Sequence, residues 1–160
     1  MDASIKIIKR PPLPLAHIAE ALRLSTVFAE HALISGEGFS SYSSDAQLHQ
    51  KYPHLLGSLQ ATALAELGPG WRVLEMWANV TAPGSWTKPH NHLTDRLTSV
   101  RVAVLYVDKP ERSGDIVIEG EAVPAETGDL IIFDGALTHW TEANGSDRLR
   151  VVITTNLTDR

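Results

Sequence analysis

From Gly70 onward the chain reads as one strand after another. "WRVLEMWANV", "TSVRVAVLYVD", "GDIVIEG", "GDLIIFD" and "RLRVVITTN" are rich in β-branched and aromatic residues and are separated by turn signals. Ahead of them the apolar residues recur at helical rather than alternating spacing. Ile18, Ala21, Leu22, Phe28 and Ala29 predict an amphipathic helix over about His17 to His31, and Leu56, Leu59, Ala63 and Leu67 predict a second from about His54 to Leu67, closed by "GPG". Helices first and strands later exclude alternating βαβ units. The order predicts an α+β, mainly β domain in which leading helices (about 1–70) buttress an antiparallel sheet or barrel (about 71–157). "SIKIIK" at 4–9 is a further short strand, ended by "RPPLP", and the Gly- and Ser-rich segment 34–45 reads as a loop.

The remaining bounds are brief. With 160 residues, 43% of them hydrophobic, and no repeat or linker, a single domain over 1–160 is expected. The net charge of -5 and the lack of a basic stripe argue against nucleic acid. No apolar run approaches the roughly 20 residues of a membrane span, and no signal-peptide core stands at the start, so a soluble protein is expected. The chain has no cysteine, which agrees with a cytoplasmic location and means that any transition metal must be held by imidazole and carboxylate. A homodimer is expected only on general grounds.

Three features then bear on chemistry: His90-Asn91-His92, the isolated His139 in "DGALTHW", and Arg150 in the last strand. Side chains two apart on an extended segment leave the same face, roughly 7 Å apart, so two imidazoles can converge on one ion. His139, delivered from the end of a buried strand, is the third donor that would complete one face of a metal's coordination sphere. Against this stands the plainer reading of surface histidines in a polar turn and a core histidine satisfied by a backbone carbonyl. In "RLRVVITTN", alternation sets Arg150, Val152, Thr154 and Asn156 on one face and Leu149, Val151, Ile153 and Thr155 on the other. Both faces are largely apolar at the centre, so an inward Arg150 is a buried cation that needs an anion. A bound carboxylate ligand would serve, and so would a protein acid such as Glu75 or Asp129.

Taken together, "MWANVTAPGSWTKPHNH", "VAVLYVDKPERSGDIVI" and "PAETGDLIIFDGALTHWTEANGSDRLRVVITTN" resemble the small bacterial and phage iron(II)/2-oxoglutarate-dependent oxygenases, over roughly residues 72–157. The resemblance implies a double-stranded β-helix, a jelly-roll related to cupins. It puts His90, His92 and His139 on the iron(II) ligand positions, and Arg150, eleven residues after His139, on the position that grips the distal carboxylate of 2-oxoglutarate. It further implies hydroxylation of a small molecule with O2 through a ferryl species, with Asn79 and Tyr106 beside the cosubstrate and Trp77, Trp86 and Trp140 near enough to line the pocket.

Two departures keep alternatives open. The wider superfamily has a carboxylate where this chain has His92, so halogenation or another oxidative outcome stays open, and the segment from His92 to Tyr106 is some residues longer than the family pattern implies, which leaves Asp95 as a competing ligand. Arg148 likewise competes with Arg150. The runner-up is a cupin-type three-histidine dioxygenase or isomerase without 2-oxoglutarate, or a noncatalytic binding barrel. Gly84 and the His-x-His pair suit a first cupin motif, but the glutamate that should follow is missing. Pro124 lies too far before His139 and Ala143 stands where asparagine is expected.

Overall fold

The computed structural model describes residues 5–24, 29–30, 34–35, 38–40, 42 and 47–160. In chain order the elements are β1 (Lys6–Ile8), α1 (Leu15–Leu24), β2 (Ala29–Glu30), β3 (Ile34–Ser35), β4 (Gly38–Ser40), α2 (Leu48–Lys51) and α3 (Gly57–Leu67). The second half holds β5 (Arg72–Thr81), β6 (Trp86–Thr87), β7 (Arg101–Asp108), β8 (Ile116–Ile118), β9 (Glu121–Val123), β10 (Leu130–Asp134), β11 (His139–Thr141) and β12 (Arg150–Thr158). A large sheet runs β1-β10-β7-β12-β5-β4-β2, a smaller one runs β11-β8-β9, and β3 pairs with β6. Every strand pair named is antiparallel.

Period-two alternation explains how the large sheet serves two purposes at once. Met76 and Ala78 of β5, Ala103 and Leu105 of β7, and Ile153 and Leu157 of β12 form one core with Ile18 and Leu22 of α1 and Leu59 and Ala63 of α3. The intervening residues turn the other way. Val102, Val104 and Tyr106 of β7 and Ile131 and Phe133 of β10 pack with Ile116, Ile118 and Val123 of the small sheet. One face therefore carries the helices, and the opposite face looks into the space between the sheets.

The N-terminal expectations need correction. The first helix ends at Leu24 rather than near His31, and Ala29–Glu30 is instead a strand paired with β4; Phe28, part of the supposed helical stripe, lies outside the described residues. The segment 34–45 is not simply a loop, since β3 and β4 lie within it. Its small polar residues carry little strand propensity. The backbone of β4 nevertheless pairs with β5, Phe39 opposite Val80, and that tertiary pairing outweighs local preference. Residues 36–37, 41 and 43–45 of that segment lie outside the described residues. The second helix starts at Gly57 rather than His54 and stops at Gly68, whose N–H bonds the Leu64 carbonyl at a φ of 87° that suits glycine. Among the described residues, no helix is long and apolar enough to cross a membrane.

Candidate metal centre and carboxylate clamp

Two backbone contacts bring the histidines together. His90 and His139 exchange N–H···O bonds of 3.0 and 2.9 Å across an antiparallel bridge, so β11 supplies His139 directly opposite His90. Two residues on, the His92 N–H bonds the Gly135 carbonyl at 2.9 Å, which pins the same segment to the end of β10. That contact is close. A methyl group on Gly135 would stand 2.3 Å from Val100 Cγ1 and 3.4 Å from His92 Cβ, so the crossing needs a residue without a side chain.

The three rings converge, with donor nitrogens within 4.8 Å of one another. Each Nδ1 already has an acceptor: the Lys88 carbonyl for His90 at 2.7 Å, Asn156 Oδ1 for His92 at 2.6 Å, and the Leu137 carbonyl for His139 at 3.0 Å. Only Nδ1–H can donate to these oxygens, so all three imidazoles are held in the same tautomer, with the lone pair on Nε2. Burial pushes His92 down to about 4, the Asn156 bond only partly offsetting it. Burial, with His90 nearby, pushes His139 down to about 3. Both are neutral at physiological pH, the form that binds metal. The donor set therefore fits a borderline divalent ion such as iron(II), with second partners fixing ring orientation as in established metal sites. Asp95 is exposed and does not join the cluster.

The pocket that contains these rings has a volume of about 440 Å³, in the range usual for small-molecule sites. Glu75, Trp77, Asn79 and Thr81 of β5 line one stretch of its wall, and Arg150, Val152, Thr154 and Asn156 of β12 line the next, as strand alternation requires. Tyr106 also faces in. It is buried, and burial raises its hydroxyl well above the usual tyrosine range despite nearby Arg150, so it stays a neutral phenol. Trp86 and Trp140 do not line the pocket. Trp140 follows His139 in β11 and so leaves the opposite face of that strand.

Arg150 is 3% exposed, yet no carboxylate hydrogen-bonds to it among the described residues. Its Nη1 donates to the Ser113 and Glu142 carbonyls and its Nη2 donates to Thr141 Oγ1. That leaves Nε–H and one Nη2–H, donors of the kind that bind a carboxylate. The acids that act on it are otherwise engaged, Asp115 with Lys109 at 2.8 Å and Glu142 with the Asp115 N–H at 2.9 Å, and the two candidates from the sequence pair elsewhere, Glu75 with Asn156 Nδ2 at 3.0 Å and Asp129 with Lys9 and the Arg10 and Glu126 N–H groups. Arg148 is exposed and forms two bonds to Asp108, at 2.7 and 2.9 Å, so it is not the inward cation.

Sequence reasoning missed what Asn156 does. Its inward parity was readable, but its amide bridges His92 on one side and Glu75 on the other, a link across two strands that no local pattern announces.

No family model and no curated protein matched the chain. Solved structures do resemble it. The non-heme alpha-ketoglutarate-dependent carbocyclase SnoK from nogalamycin biosynthesis superposes with a TM-score of 0.77 at 18% identity, covering 98% of this chain and 79% of that one. HygX from Streptomyces hygroscopicus, solved with nickel, 2-oxoglutarate and hygromycin B bound, gives 0.73 at 12% identity over 97% and 82%. A Pseudomonas putida prolyl-4-hydroxylase gives 0.71 at 20% identity over 98% and 93%. The likeness shows a shared fold, the double-stranded β-helix.

Proposed function

We propose that the chain is an iron(II)- and 2-oxoglutarate-dependent oxygenase that hydroxylates a small molecule. One observation carries the reading: three same-tautomer imidazoles present Nε2 to a common point in a pocket whose deep wall holds a buried guanidinium with open N–H donors. Iron(II) bound by His90, His92 and His139 would supply the oxidising chemistry, with 2-oxoglutarate and O2 consumed and succinate, carbon dioxide and hydroxylated substrate formed. The chain's own residues do the rest. Arg150 binds the distal carboxylate of 2-oxoglutarate and so fixes which way the cosubstrate lies. Tyr106, held as a phenol, and Asn79, on β5, both line the pocket and would hydrogen-bond that molecule. Val102, Val104 and Ile116 give the pocket an apolar wall that limits water around the reacting groups. SnoK, HygX and the prolyl hydroxylase, by their descriptions, support the assignment by analogy of fold. The cupin alternative offers no use for Arg150.

The test is spectroscopic. Anaerobic addition of iron(II) and then 2-oxoglutarate is expected to produce a weak visible charge-transfer band. Arg150→Ala should weaken cosubstrate binding by about 100-fold or more, because the anion loses a buried charged partner. Iron binding without any response to 2-oxoglutarate would move the assignment to a cupin-type metalloenzyme.

A further inference from the structure

Among the pocket-facing residues of β5, β7 and β12, two carry formal charge: Arg150 and Glu75. They stand at opposite ends. Arg150 is paired with Thr81 across the β12–β5 ladder and Glu75 with Asn156, six residues further along, a separation of roughly 20 Å at the rise of an extended strand. The two charges cannot satisfy each other. The Arg150 end is buried, whereas Tyr42 and Leu93, both 38% exposed, border the Glu75 end, which is therefore the entrance.

Glu75 is half-buried on the wall of this entrance, and its hydrogen-bond partners among the described residues are neutral donors: Asn156 Nδ2 at 3.0 Å and the Tyr42 hydroxyl at 3.5 Å. No cation pairs with it among the described residues. A carboxylate facing into a pocket costs desolvation, and two neutral hydrogen bonds leave several of its acceptor sites open. Beside it, the Tyr42 and Trp77 rings meet edge-on at 4.9 Å, and Leu74, Leu93 and Leu97 add apolar surface. An acidic group set in an aromatic and aliphatic corner suits an ammonium on an apolar body.

We propose that the substrate is a small amine whose cationic group is received by Glu75, while its apolar body lies against Trp77 and the leucines near the histidine cluster. This rests on the oxygenase reading, since that reading gives the Arg150 end to the cosubstrate and leaves the Glu75 end to the substrate.

The experiment uses nickel(II)-loaded protein, a redox-inert stand-in, with 2-oxoglutarate added first and its binding measured. Phenethylamine, 2-phenylethanol and 3-phenylpropanoate are then titrated separately, with calorimetry or ligand-observed NMR as the readout. The amine should bind about tenfold more tightly than the alcohol, the size of one charge-assisted hydrogen bond, and the propanoate most weakly. Glu75→Gln, which keeps an oxygen for Asn156, should abolish the difference between amine and alcohol. Equal binding of alcohol and amine to the unaltered protein, no amine binding at all, or an amine preference that survives Glu75→Gln overturns the proposal. The ranking on the unaltered protein needs no variant to fold. Failure of 2-oxoglutarate to bind in the first step counts against the oxygenase reading instead, and the amine ranking then scores Glu75 separately.

Discussion

Asn156 shows how much of the centre depends on a single amide. Its Oδ1 accepts from His92 Nδ1 at 2.6 Å while its Nδ2 donates to Glu75 at 3.0 Å, so the amide cannot flip without placing like against like. His92 is thus backed by Asn156 and then by the Glu75 carboxylate. Replacing Asn156 with Ala frees the His92 ring to turn. The expected result is a metal affinity about 10- to 100-fold weaker, measured by competition with a chromophoric chelator, with the fold retained by circular dichroism. Unchanged affinity would mean that packing against Trp77, whose ring stacks on His92 at 5.9 Å, suffices to hold it. Arg150 and the three histidines were visible in the sequence as residue types at suggestive spacings. The Asn156 and Glu75 roles were not, because a hydrogen bond between residues 81 positions apart depends on strand register.

Register is the business of the elements, and here the two ends of β10 matter most. At its C-terminal end Gly135 lets the His92 segment pass close to Val100, a buried β-branched residue with little room to move. Gly135→Ala should therefore displace that segment, and the measurable effect is a loss of metal affinity larger than the loss in melting temperature would suggest. At the N-terminal end Asp129 ties β10 to β1. Burial alone would raise its carboxyl, but Lys9 and the N–H groups of Glu126 and Arg10 outweigh burial and hold it below the ordinary carboxylate range. A lowered folded-state value means that this stabilisation is complete above the unfolded value of about 3.9 and is lost as pH falls through the folded one. Denaturation of the unaltered protein should thus steepen below about pH 5, and Asp129→Asn, which cannot titrate, should flatten that acid limb while lowering stability at neutral pH. At this scale the strands of the second half were legible because their residues favour β structure locally. β2, β3 and β4 were not, since their short segments owe their form to pairing with partners distant in sequence.

Across the whole molecule, one sheet face binds the helices and the other builds the pocket, so a single alternating pattern specifies both core and site. The alternation of β12 was enough to turn Arg150 inward on paper. What it could not supply was the pocket's polarity along the strand, with a buried cation at one end and a half-buried carboxylate at the other. On the proposed function, this interior holds one metal ion and one diacid in a fixed relation. The most direct measurement is a crystal structure of the protein loaded anaerobically with iron(II) and 2-oxoglutarate. One ion is expected on Nε2 of His90, His92 and His139, with the far carboxylate of the diacid on the Arg150 guanidinium. An ion bound away from those rings, or a diacid that leaves Arg150 untouched, would contradict it.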